Sequence, residues 1–172
     1  HIAWDGRDGG SDDEIFYYDG RTVTQLTNNN YDDDEPSISG SHVVWDGYDP
    51  TGTYWEIFLY DGSTVTQLTD NGNGYDEWDP VISGSNISWV GSTDGGDGEI
   101  FFYDGSTIKQ LTHNDYDDWY PEISNSHIVW QNDSGLGGGR HTLTLYEISS
   151  GATLELTNNA VFHPWGGYQG YE

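Results

Sequence analysis

Neither cysteine nor methionine occurs in the 172 residues. Without thiols there can be no disulfide framework, no thiolate nucleophile and no Cys-built metal centre. Together the two absences fit an oxidising setting, where both side chains are liabilities, so an extracellular, secreted or periplasmic location is expected. Positive charge is almost missing too: four Lys and Arg stand against thirty Asp and Glu, a formal net charge of −26. Such a surface repels nucleic acid and anionic lipid, and cations are its natural counterpart. No apolar run is long enough to cross a bilayer, so membrane insertion is not expected. No signal peptide or initiating Met opens the chain, as in a mature form or a piece of a longer protein. Also absent are a Gly-x-Ser-x-Gly elbow, a phosphate-binding Gly loop and a His-Glu-x-x-His pair. Those gaps predict a chain with no catalytic residues and no organic cofactor, hence no enzyme.

What is present is a repeat. Trp4, Trp45, Trp89 and Trp130 recur 41, 44 and 41 residues apart. After each comes an Asp/Gly-rich loop and then an apolar run: Ile15-Phe16-Tyr17-Tyr18, Ile57-Phe58-Leu59-Tyr60, Ile100-Phe101-Phe102-Tyr103 and a degenerate Leu143-Thr144-Leu145-Tyr146. Gln25-Leu26-Thr27, Gln67-Leu68-Thr69, Gln110-Leu111-Thr112 and Glu155-Leu156-Thr157 follow, and then Pro36, Pro80, Pro121 and Pro164. Short runs apolar on both alternating faces are strands covered from both sides. A period just above forty built from such strands predicts propeller blades, each unable to bury its faces alone. Asp61-Gly62 and its equivalents predict two-residue type I′ hairpins. The expected blade has an inner strand near Ser37-Ile38 with the proline at its mouth, a second strand ending at Trp45, a third over Ile57 to Tyr60 and an outer one over Val65 to Thr69.

The aromatic strand, the Gln-Leu-Thr ending and the acidic-x-x-Pro elements Asp33-Asp34-Glu35-Pro36, Glu77-Trp78-Asp79-Pro80 and Asp118-Trp119-Tyr120-Pro121 resemble the repeats of TolB-like (WD-like) β-propellers. More loosely they resemble the propeller domains of prolyl oligopeptidases. The resemblance implies an all-β propeller of four-stranded antiparallel blades, and binding modules more than one chemistry. The expected organisation is a single domain over 1–172, with blade repeats at 1–34, 35–78, 79–119 and 120–160. Because His1 is in phase with His42 and His127, the chain starts at a second strand. The closing segment 161–172, from this chain or a neighbour's, is expected to complete the first blade. Strand exchange of that kind could join copies into a homo-oligomer or polymer.

All but six of the thirty acids fall in or beside the loops that share one face of such blades. Crowded carboxylates disfavour folding unless cations screen or bridge them. Calcium is the expected ion, because oxygen ligands in adaptable Gly-rich loops suit its six to eight coordination. The candidate ligands are Asp5, Asp8, Asp12 and Asp13 in one loop, Asp46 and Asp49 in the next, and Asp94 and Asp97 in the third. The competing reading is a solvated acidic face with Asp side chains capping their own turns. Tyr75, Trp78, Tyr116, Trp119 and Tyr120 lie among the same acids, a pattern that suits glycans: rings cover the apolar sugar face and carboxylates accept from hydroxyls. The sequence therefore predicts a secreted, non-enzymatic binding or structural module with a cation-binding face, with a lectin-like module or a subunit of an extracellular assembly as alternatives. A carbohydrate-active enzyme ranks below these. Expected partners are cations, glycans or other extracellular proteins.

Overall fold

The computed structural model describes residues 1–70, 74–92, 96–133 and 141–157. Every regular element among them is a strand. β1 (Ile2–Gly6), β2 (Glu14–Tyr18) and β3 (Val23–Gln25) form the first sheet. β4 (Asp33–Ser39), β5 (His42–Tyr48), β6 (Trp55–Tyr60) and β7 (Val65–Gln67) form the second, and β8 (Glu77–Ser83), β9 (Asn86–Ser92), β10 (Gly98–Tyr103) and β11 (Ile108–Gln110) the third. β12 (Asp118–Ile123), β13 (His127–Asp133), β14 (His141–Glu147) and β15 (Ala152–Glu155) complete the fourth. Each sheet is an antiparallel meander in chain order, the blade of a β-propeller. The first has three strands, as the phase of His1 requires, and the segment expected to supply its fourth lies outside the described residues.

Two local expectations need correction. Each inner strand begins three residues before its proline, at Asp33, Glu77 and Asp118, so the proline is not at the strand's mouth. Proline sits inside the strand because the register shifts there, between Asp34 and Ser37, Trp78 and Val81, and Trp119 and Glu122. A bulge leaves the proline nitrogen out of the ladder, so its missing N–H costs no hydrogen bond. The residue before each proline takes up the distortion: Glu35, Asp79 and Tyr120 have φ of 52°, 54° and 52°. A side chain in that left-handed region costs on the order of 1 kcal/mol.

The Asp-Gly turns are also longer than two residues. Tyr60 pairs with Val65, so Asp61 to Thr64 form the loop, and only Gly62 has positive φ, at 95°. What closes it is the Asp61 carboxylate, which accepts from the Ser63 and Thr64 amides at 2.8 Å each. Asp19 and Asp104 repeat the arrangement. An Asp side chain that satisfies two turn amides removes the need for a type I′ backbone.

Three apolar layers hold the blades together. Ile15 and Tyr17 of blade one meet Val43 and Trp45 of blade two. Val44 and Ile57 meet Ile82, Ile87 and Trp89, and Val90, Ile100 and Phe102 meet Ile128 and Trp130. Each buried large apolar side chain contributes about 2 to 3 kcal/mol. Inside a blade, the indole stacks on the cross-strand Phe at one repeated angle: Trp4 on Phe16, Trp45 on Phe58 and Trp89 on Phe101, all with 13° between planes. The layers therefore follow the chain, each blade packing on the next, and the loops joining blades converge at one end.

Candidate functional site

At that end, loops from adjacent blades are clasped by carboxylates. Asp32 accepts from the Asp13 amide at 3.0 Å, Asp76 from Trp55 at 3.0 Å and Asp117 from Gly98 at 2.8 Å. One residue later in the chain, Asp33 accepts from the Trp45 indole at 2.9 Å and the Asn29 amide group at 2.6 Å, and Asp118 makes the same pair of bonds with Trp130 and Asn114. In blade three Glu77 holds this place, and the Trp89 indole nitrogen is buried without a partner. Glu14 and Glu99 accept from the Asn29 and Asn114 amides, while Glu56 accepts from the Thr69 hydroxyl. These acids build the blade junctions.

Their burial has an electrostatic consequence. Loss of water pushes Asp33 up to about 6 and Glu56 and Glu99 up to about 7, despite the donors that oppose the shift. A second group gathers around the inner strands of blades two and three. Asp46 stands opposite Asp34 in the β4–β5 register, is 5 % exposed, and its Oδ1 has no hydrogen-bond partner. Burial first, and then the nearby charges of Glu35, Asp79 and Asp34, push it up to about 8. The Glu35 carboxyl is hydrogen-bonded to that of Asp79 across the blade junction, which raises it to about 7. The Glu35 carboxyl so raised favours its protonated form. Asp5 adds its charge from blade one to both Asp34 and Glu35.

Asp5 and Asp46 of the sequence-derived ligand set thus belong to this cluster. Three of the other six cap local turns. Asp8 accepts from Gln25 and the Gly10 amide, Asp12 from the Ser11 amide, and Asp49 from the Thr51 hydroxyl and the Thr53 and Tyr54 amides. Asp13 pairs with Arg7 at 3.5 Å, and the charge of Asp97 reaches Glu99. Asp94 lies outside the described residues. Among the described residues no three His, Asp or Glu side chains stand in metal-holding geometry. Asp34, Glu35 and Asp79 were not anticipated as site residues. Their signal was positional, since Glu35 and Asp79 precede repeat prolines, but only the bulge turns them toward Asp46.

The aromatic set is dispersed. Trp78 packs into the layer between blades three and four. Trp119 is half-buried with its ring 6.0 Å from His141, Tyr75 is half-buried, and Tyr116 and Tyr120 are exposed. A cleft of about 370 Å³ lies elsewhere, beside blade two, lined by Tyr31, Tyr48, Trp45 and Phe58 with Asn29 and Asn30.

No family model and no curated protein matches the chain. Its fold is that of a TolB-like β-propeller. A protein described as TolB from Agrobacterium tumefaciens superposes with a TM-score of 0.64 at 20 % identity, over 90 % of this chain and 60 % of that one. The propeller domain of the Trilobed protease from Pyrococcus furiosus, which has an open velcro topology, gives 0.66 at 12 %, over 87 % and 44 %. An acylaminoacyl peptidase from Pyrococcus horikoshii gives 0.64 at 12 %, over 86 % and 23 %. The chain spans less than two thirds of each of these proteins, and its likeness to the peptidases is confined to the propeller. Among the described residues no helix is long and apolar enough to cross a membrane.

Proposed function

We propose that this propeller is an extracellular, non-enzymatic binding module whose acidic end takes up calcium or a similar hard cation at the junction of blades two and three. The observation that supports the reading most is Asp46: a buried carboxyl with an orphaned oxygen, beside the hydrogen-bonded carboxyls of Glu35 and Asp79. A buried carboxylate with an unpaired oxygen costs free energy, and either a proton or a cation relieves the cost. The donor chemistry is all oxygen, which suits calcium. The ligands are not held in a closed cage, so an ion bound here would draw Asp46, Glu35, Asp34 and Asp79 together and displace the protons that the raised Asp46 and Glu35 carboxyls favour. Affinity is then expected to rise with pH. Calcium titrated into chelator-treated protein at pH 8 should raise Tm by several degrees, and Asp46→Asn should remove most of that gain. An unchanged Tm with millimolar calcium overturns the reading.

The cleft beside blade two supports a second reading, glycan binding, since it combines flat rings with amide groups at one place. This reading rests on Tyr31 and Tyr48 rather than on Tyr75, Trp78, Tyr116, Trp119 and Tyr120. A glycan array with calcium present tests it, and a binder whose signal survives Tyr48→Ala would refute this location.

A further inference from the structure

The cleft beside blade two departs from the repeat in a way the fold does not require. Tyr31 has ring-bearing counterparts in Tyr75 and Tyr116. Tyr48 has none: as the last residue of β5 it corresponds to Ser92 of β9 and Asp133 of β13, and to Arg7 in blade one. Trp55, which faces Tyr48 across β5 and β6, corresponds to Asp13 in blade one and Gly98 in blade three. Blades one and three form without these two rings, so blade two does not need them to be a blade. The rings are nonetheless held in place. Trp55 backs Tyr48 with centroids 4.4 Å apart, and Tyr31 stands 6.3 Å from Tyr48 at 54°. Gly52, with φ of 67°, lies so close to Tyr31 that a Cβ there would collide with the ring, and the Tyr31 amide donates to Asn29 Oδ1 at 2.6 Å.

The polar groups at the base of the cleft are engaged with one another. Asn29 donates to Asp33 and accepts from Tyr31, Thr27 accepts from the Ile15 amide, and Asp33 also accepts from the Trp45 indole. A sugar hydroxyl or a primary ammonium needs acceptors there and finds these occupied. A quaternary ammonium needs none, because its methyl groups pack on rings while its charge is attracted by the ring faces. Two centroids 6.3 Å apart can both lie within about 6 Å of one cation, the reach of that attraction. Charge agrees with the rings. Asp33 lines the cleft, no Lys or Arg does, and the chain carries −26.

We propose that this cleft binds a small quaternary ammonium solute of the choline type, seated between Tyr31 and Tyr48. The ligand has no carboxylate or phosphate of its own, since an anionic group would face Asp33 and the field of the whole chain. It competes with the glycan reading for the same cleft, and one set of variants separates the two.

Choline chloride is titrated into the 172-residue chain in chelator, so that the test stands apart from the calcium reading, with sodium chloride holding the ionic strength constant. The pH is 8, above the value of about 6 to which burial pushes Asp33. Followed by NMR chemical shifts, choline should bind with a Kd of about 1 mM or tighter, as two ring contacts and one carboxylate allow. Its uncharged isostere, with carbon in place of the quaternary nitrogen, should bind about tenfold more weakly or not at all. Tyr48→Ser introduces the residue type that blade three carries at this position, and should weaken choline about tenfold. Tyr48→Phe should retain it, because the ring and not the phenol makes the contact. Tyr31→Leu, at an exposed position, serves if Tyr48→Ser fails a folding check by circular dichroism. Shifts that do not move up to about 10 mM choline overturn the proposal, as does equal binding of the uncharged isostere or binding unmoved by Tyr48→Ser. A glycan-array binder lost in Tyr48→Ala, in a protein indifferent to choline, also overturns it and leaves the glycan reading standing.

Discussion

Acids at the two ends of the blades are the same residue types in opposite circumstances. At the turn end, Asp19, Asp61 and Asp104 lie at the surface, and each accepts two backbone amides and at least one hydroxyl. Those donors hold all three below the ordinary carboxylate range. At the loop end, Asp33, Asp46, Glu56 and Glu99 are buried, each near other carboxylates, and are pushed above it. Charge count alone does not say what an acid does to a fold. Whether it stays at the surface among donors or loses its water to burial decides the sign. The turn acids stabilise the native state as anions, and the loop acids favour it as neutral acids or as cation ligands.

The contrast can be broken most severely at the loop end. A Cβ on Gly47 would stand 2.2 Å from Asp33 Oδ1, the atom that accepts from the Trp45 indole. Gly47→Ala should cost on the order of 3 kcal/mol in denaturant unfolding, since overpacking and the loss of a buried charged hydrogen bond combine. The equivalent Gly6→Ala meets only the Trp4 ring at 3.8 Å and should be close to neutral. A smaller effect of the other sign is expected at Glu77. Glu77→Asp shortens the acid to match Asp33 and Asp118, and returning an acceptor to the Trp89 indole should gain about 1 kcal/mol. Smallest is Asp104→Ala at the exposed turn, which should lower Tm slightly at neutral pH. Its effect should be full above the unfolded value of about 4 and shrink progressively as pH falls below it, because the native carboxylate, held below the ordinary range, loses its advantage only as it is itself protonated.

Much of the fold was legible in the chain because the repeat states each strand four times over, and Trp45, Trp89 and Trp130 all lie in buried layers where their phase put them. Less legible was the proline. Its position suggested a strand mouth, but a bulge admits it to the strand interior and turns the preceding residue, Glu35 or Asp79, into the cluster at the blade junction. The candidate site was half legible for a related reason. Composition placed the acids at one end, yet composition cannot separate Asp49, satisfied by its own loop, from Asp46, three residues earlier and buried with one oxygen unpaired. That distinction is made by the face of the strand, and it depends on which neighbour packs there.

The most direct test of the two acid populations is Tm measured from pH 4 to pH 9 in chelator, then repeated with millimolar calcium. Groups whose native carboxyls titrate near 6 to 8, against about 4 in the unfolded chain, make the native state bind more protons across that interval, so unfolding free energy falls as pH rises through it. The account predicts a Tm lower by roughly 5 °C or more at pH 8 than at pH 5, with calcium restoring most of the loss at pH 8 and little at pH 5. A Tm that is flat or rises toward pH 8 in chelator, or that calcium leaves unmoved at pH 8, contradicts it.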